Sequence, residues 1–120
     1  MIVAGIGCRR VCPPDDIVAA VRAAERKAGC RATMLAAPAF KRIDAAAATL
    51  GLPITEVSDI AMAAAQSRCV TFSALAKAAT GFASVAEAAA LAVAGQAGRL
   101  LQPRVTCGAA TCALAEGALA

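Results

Sequence analysis

A chain of 120 residues with 12 Lys and Arg against 8 Asp and Glu is long enough for one packed domain and too short for two ordinary ones. Hydrophobic residues at 60% exclude a disordered chain, and aromatic residues at 2% exclude the stacking platform that single-stranded nucleic acid requires. No apolar run reaches the roughly 18 residues needed to cross a bilayer, and the first charges follow the opening apolar run instead of preceding it, so neither a membrane span nor a secretory leader is expected.

Ile2 to Ile6 reads as a short strand, aliphatic on both parities and therefore covered on both faces. Gly5-Ile6-Gly7 then predicts a sharp bend where backbone approaches a ligand, and Arg9 and Arg10 beside it offer fork-shaped donors to carboxylates or phosphates. Pro13-Pro14-Asp15-Asp16 opens a helix whose apolar stripe is Ile17, Val18, Val21 and Ala24, and Gly29 closes it. Ala32 to Ala37 is a second strand, and Asp44 to Leu50 a helix terminated by Gly51. Pro53 to Val57 is a third strand, followed by a helix from Ile60 to Ala65 capped by Ser58-Asp59 and by a connection through Arg68 and Cys69. Ser73 caps a short helix to Ala79 that Thr80-Gly81 breaks. Ser84-Val85-Ala86-Glu87 has the pattern of a capping box opening a helix to Ala94, with Gly95 behind it. Strands Arg99 to Gln102 and Ala109 to Ala115, separated by Pro103 and Gly108, complete the chain. Alternating strands and helices define an α/β class: a single three-layer α/β/α domain over residues 1–120, with a mainly parallel or mixed central sheet.

The chemistry available is narrow. With no His there is no Ser-His or Cys-His nucleophile pair, and Gly5-Ile6-Gly7 lacks both the third glycine of a dinucleotide fingerprint and the Gly-Lys-Ser/Thr of a phosphate loop. No cofactor is expected. Cys8-x3-Cys12 and Cys107-x4-Cys112 have short spacings compatible with zinc, but Cys12 precedes Pro13-Pro14 and Cys112 falls in an apolar run facing a core, so packing is preferred and no metal is assigned. Asp44 and Glu87 are the acids at helix starts nearest to other candidate ligand groups; each reads more readily as a capping or dipole-matching residue. Ser73 and Ser84 likewise read as caps, although helix amino termini also bind anions. The net charge of +4 is concentrated in the first third, at Arg9, Arg10, Arg22, Arg26, Lys27, Arg31, Lys41 and Arg42.

Gly5-Ile6-Gly7-Cys8-Arg9-Arg10 before a helix, Lys41-x-x-Asp44, Leu50-Gly51-Leu52-Pro53, Ser73, Gly81-x-x-Ser84-Val85-Ala86-Glu87-Ala88-Ala89-Ala90 and Thr111-x-Ala113 occur in an order that resembles the cobalamin-biosynthesis family of CobE and the CbiG carboxy-terminal domain. The resemblance spans nearly the whole chain and is to the stand-alone form. Lys41-Arg42-Ile43-Asp44 stands where the family commonly has Lys-x-Asp-Glu, Pro103-Arg104 replaces a Pro-Lys pair, and Phe72 replaces a proline before Ser73.

The resemblance implies a partner, a corrin or precorrin intermediate fringed with carboxylates, bound or handed over by Gly5, Gly7, Cys8, Arg9, Arg10, Lys41, Ser73 and Ser84. Catalysis by the isolated domain is not expected. Two alternatives remain: a hydrolase, or hydrolase component, opening a precorrin ring lactone with release of acetaldehyde, for which Asp44 and Glu87 are the weak catalytic candidates, and a non-catalytic subunit docking on another pathway enzyme. A cytoplasmic location is expected, with no nucleic-acid or membrane partner.

Overall fold

The computed structural model describes residues 1–8, 12–38, 43–71 and 84–117. In chain order the elements are β1 (Ile2–Cys8), α1 (Pro14–Ala28), β2 (Met34–Pro38), α2 (Asp44–Leu50), β3 (Ile54–Val57), α3 (Asp59–Ala65), a 3-10 turn (Gln66–Arg68), α4 (Val85–Ala94), β4 (Arg99–Cys107) and β5 (Ala110–Glu116). The helix predicted from Ser73 to Ala79 lies outside the described residues.

Local chemistry accounts for most helix ends. α1 begins at Pro14, carries Asp15 and Asp16 at its positive end and Arg26 and Lys27 at its negative end, and stops where Gly29 turns left-handed at φ 72°. Gly51 ends α2 in the same way at φ 68°. Ser58 caps α3 as expected, its Oγ accepting the Ala61 N–H at 3.1 Å. β2 begins two residues later than the sequence suggested: the Ala32 N–H is taken by Glu25 Oε2 at 2.8 Å instead of by a strand, and Thr33 meets Ile2 through its backbone N–H at 2.8 Å and through its Oγ1, which accepts the Ile2 N–H at 3.0 Å and donates to the Ile2 carbonyl at 3.1 Å.

The sheet has the order β3-β2-β1-β5-β4. β1 pairs with β2, and β2 with β3, in parallel, whereas β5 is antiparallel to both β1 and β4. The sheet is therefore mixed, since two strands joined by a tight hairpin can only run antiparallel. β4 departs from the expected strand by running through Pro103 to Cys107. It lies at a sheet edge, where a missing N–H is tolerated, and its register shifts between Leu100 and Gln102 and again between Gln102 and Val105.

Helices cover both faces. Alternate residues of β1 and β5, Ala4 and Ile6 with Cys112 and Leu114, pack under Ile17, Val21 and Ala24 of α1 and Ala46 and Ala47 of α2. The opposite face places Val3, Ala36 and Ala115 against Met62 and Ala65 of α3 and against Ala88, Ala89, Leu91 and Ala94 of α4. Among the described residues no helix is long and apolar enough to cross a membrane.

Candidate functional site

α4 lies unusually close to β1, and glycine makes this possible. A Cβ built on Gly5 would land on the Ala86 carbonyl oxygen and stand 2.6 Å from the Ala90 nitrogen. One built on Gly7 would strike Thr111 Oγ1 and come within 3.4 Å of the Ala86 nitrogen. Neither glycine has a positive φ, and β1 continues extended to Cys8. The predicted bend at Gly5-Ile6-Gly7 is thus corrected: the glycines remove side chains so that a helix can settle on the strand.

This contact carries the amino end of α4 to the carboxyl end of β1. Ser84 is fully buried there, and its Oγ accepts the Glu87 N–H at 3.4 Å, half of the expected capping box. The other half does not form. Instead of returning to the Ser84 amide, the Glu87 carboxylate, 0% exposed, accepts from the amides of Val70 at 2.8 Å and Thr71 at 2.9 Å through Oε1. Through Oε2 it accepts from the Thr71 hydroxyl at 2.5 Å and the Arg104 amide at 2.9 Å. Burial works to raise its pKa, but the Thr71 hydroxyl and the amides of Arg104, Thr71 and Val70 outweigh it and hold the group below the ordinary carboxylate range.

Sequence reasoning missed these partners, and it also missed Arg68. Its guanidinium donates to the carbonyls of Gly95 at 2.9 Å and of Leu91 and Gly98 at 3.4 Å, closing the carboxyl end of α4. A signal was nevertheless present: Glu87 is the only charge in Val85-Ala86-Glu87-Ala88-Ala89-Ala90-Leu91-Ala92-Val93-Ala94, and a charge inside a wholly apolar helix must find buried partners.

Of the residues predicted for the site, Gly7, Cys8 and Ser84 fall at the carboxyl edge of β1, with Cys8 half-buried beside Ala110 of β5. Gly5 lies deeper, paired between Ala36 and Ala113. Asp44 is exposed at the start of α2 and belongs to the other face of the sheet from Glu87, so the two acids form no pair. Arg9, Arg10, Lys41 and Ser73 lie outside the described residues. The chain enters 9–11 from Cys8 and 39–42 from Pro38, the same-end termini of two adjacent parallel strands.

The six cysteines form no disulfide. Burial, then the neighbouring Glu87 charge, push the Cys69 thiol up to about 11, against a smaller opposing influence of Arg68, and burial raises Cys112 further. Both are thiols at neutral pH, unsuited to nucleophilic attack. Among the described residues no group of three His, Cys, Asp or Glu side chains is arranged to hold a metal ion.

The family model for cobalamin synthesis G C-terminus matches residues 2–115. The chain belongs to the cobalamin synthesis G C-terminus family. Its place is therefore in cobalamin biosynthesis. Solved structures agree: the chain is 31% identical to CobE, a protein from the cobalamin (vitamin B12) biosynthetic pathway, over 96% of this chain and 89% of that one, with a TM-score of 0.86. It is 40% identical to the cobalamin biosynthesis protein chiG from Agrobacterium tumefaciens, over 99% of this chain and 100% of that one, with a TM-score of 0.80. Comparison with the curated proteins finds no match. Within this family fold, the Gly5 contact and the Glu87 tie give two of the motif residues clear packing roles, leaving the carboxyl edge as the candidate site.

Proposed function

We propose that this domain binds a corrin-ring precursor by its carboxylate fringe and holds it for hand-over. The observation that carries this reading is the parallel pairing of β1 with β2, whose carboxyl termini lie at the same end of the sheet and lead into Arg9 and Arg10 and into Lys41. Guanidinium forks favour anions, and the family points to a macrocycle bearing acetate and propionate groups. Lys41 and Ser73 are proposed as further contacts of the same ligand.

Binding is preferred to bond breaking because a hydrolase needs a base with access to water. Glu87 has both oxygens engaged by internal donors and a lowered pKa, while Asp44 stands alone on the other face. Titration with hydrogenobyrinic acid, followed by difference absorbance, should show saturable binding that Arg9→Ala/Arg10→Ala abolishes. Unchanged affinity in that variant would overturn the assignment. Release of acetaldehyde from a lactone-bearing precorrin by this chain alone would replace it with the hydrolytic reading.

A further inference from the structure

The amino-terminal end of the sheet holds a second concentration of charge that the reading above does not use. Arg22 and Arg26 are one helical turn apart on α1 and share a face. Gly29 then turns left-handed, with the Gly29 and Cys30 amides both donating to the Glu25 carbonyl, at 2.9 and 3.3 Å. The chain folds back, and Glu25 Oε2 fixes its return by accepting the Ala32 N–H at 2.8 Å. Arg31 is thereby held beside the two helical arginines. Together with Glu25, Gly29 and Cys30 they line an open cavity of about 320 Å³.

Among the described residues none of these three guanidinium groups has a hydrogen bond or an ion pair; the ion pair in that set joins Arg99 to Glu116 instead. Like charges one helical turn apart repel, and adding a third arginine across a backbone turn increases that cost. The negative end of α1 and the acid in the cavity wall offset part of it, although one of that acid's oxygens is committed to the Ala32 amide. Three exposed forks around a concave surface suit planar oxygens of a multiply charged anion, each fork being able to take two.

We propose that Arg22, Arg26 and Arg31 form a second anion site, for a small oxyanion of two or more charges, at the opposite end of the domain from the corrin-precursor site. α1 separates the two, running 15 residues or about 22 Å. Because the ligand chemistry is shared by polyphosphates and polycarboxylates, the full chain is titrated calorimetrically at low ionic strength with tripolyphosphate and, separately, with citrate. Saturable binding with one-to-one stoichiometry by either is expected, and which of the two binds more tightly identifies the phosphoryl or the carboxylate source. Arg22→Ala/Arg31→Ala should weaken it about tenfold or more, while Arg99→Ala, which removes a charge outside the cavity, should not. Absence of saturable binding, equal weakening by Arg99→Ala, or loss through Arg9→Ala/Arg10→Ala would overturn the proposal. In the unaltered protein, saturating anion should also slow alkylation of Cys30 by neutral iodoacetamide without slowing that of Cys107, half-buried at the β4–β5 turn beside the start of α1. An unchanged Cys30 rate would count against the site independently of any variant's folding.

Discussion

The two faces of the sheet are held by different physics. Under α1 and α2 the interface is aliphatic, with Ile6, Ile17, Val21, Leu35 and Leu114 fully or almost fully buried. Under α3 and α4 it is largely alanine, and the helix sits so near β1 that Gly5 has no room for a methyl group. Small side chains remove little apolar area each, at about 0.8 kcal/mol per buried methylene, so the alanine face depends on close approach and on polar ties. The aliphatic face is therefore expected to tolerate repacking, and the alanine face much less.

That contrast can be broken most severely at Gly5. Gly5→Val is expected to destabilise by more than about 3 kcal/mol, because the atoms it meets are backbone that cannot move aside, and urea unfolding or loss of soluble protein measures it. Glu87→Gln should cost about 2–5 kcal/mol at neutral pH by turning an amide group toward buried donors. Its pH dependence sharpens the point. The native carboxyl is held low, so its contribution is present above the unfolded value of about 4.3 and is lost as pH falls through the lower native value. The stability gap between the parent and Glu87→Gln should therefore narrow in unfolding experiments taken from pH 7 toward pH 3. A gap constant across that range would mean that the carboxylate's charge contributes nothing.

On the aliphatic face, Leu114→Ala should cost about 2–5 kcal/mol through the cavity it leaves, and a compensating larger neighbour should recover part of that loss in calorimetric melting. The smallest effect is expected for Arg68→Ala, about 1–2 kcal/mol, since two of the three residues whose carbonyls it leaves behind, Gly95 and Gly98, are only partly buried and water can replace the guanidinium there.

Much of this was legible where the cause is local. The helices ending at Gly29 and Gly51 and the caps at Ser58 and Ser84 are written in a few adjacent residues, and the structure has them at those positions. The length of β4 was hidden because Pro103 reads as a terminator unless the strand is known to lie at an edge. The glycines of β1 were misread for a related reason: a glycine that permits a bend and one that makes room for a helix look identical in sequence. Likewise Ser84 and Glu87 fit a capping box, but the carboxylate found tertiary donors 16 and 17 residues away. Of the candidate site, the framework at Gly7, Cys8 and Ser84 falls together at one strand end, whereas the proposed cationic contacts rest on the sequence.

The segment from Arg68 to Thr71 has a consequence for how the domain opens. An alanine-rich helix of ten residues is barely stable alone in water. Here one short stretch grips both of its ends, through Glu87 at the first turn and Arg68 at the last. Unzipping the first turn strands a buried carboxylate, and unzipping the last takes three carbonyls from their guanidinium, so the helix and its strap should open as one cooperative unit instead of fraying. In native-state hydrogen exchange the amides of Val70, Thr71 and Arg104 would then share a single opening free energy with the interior of the helix, although two of them lie outside any regular element.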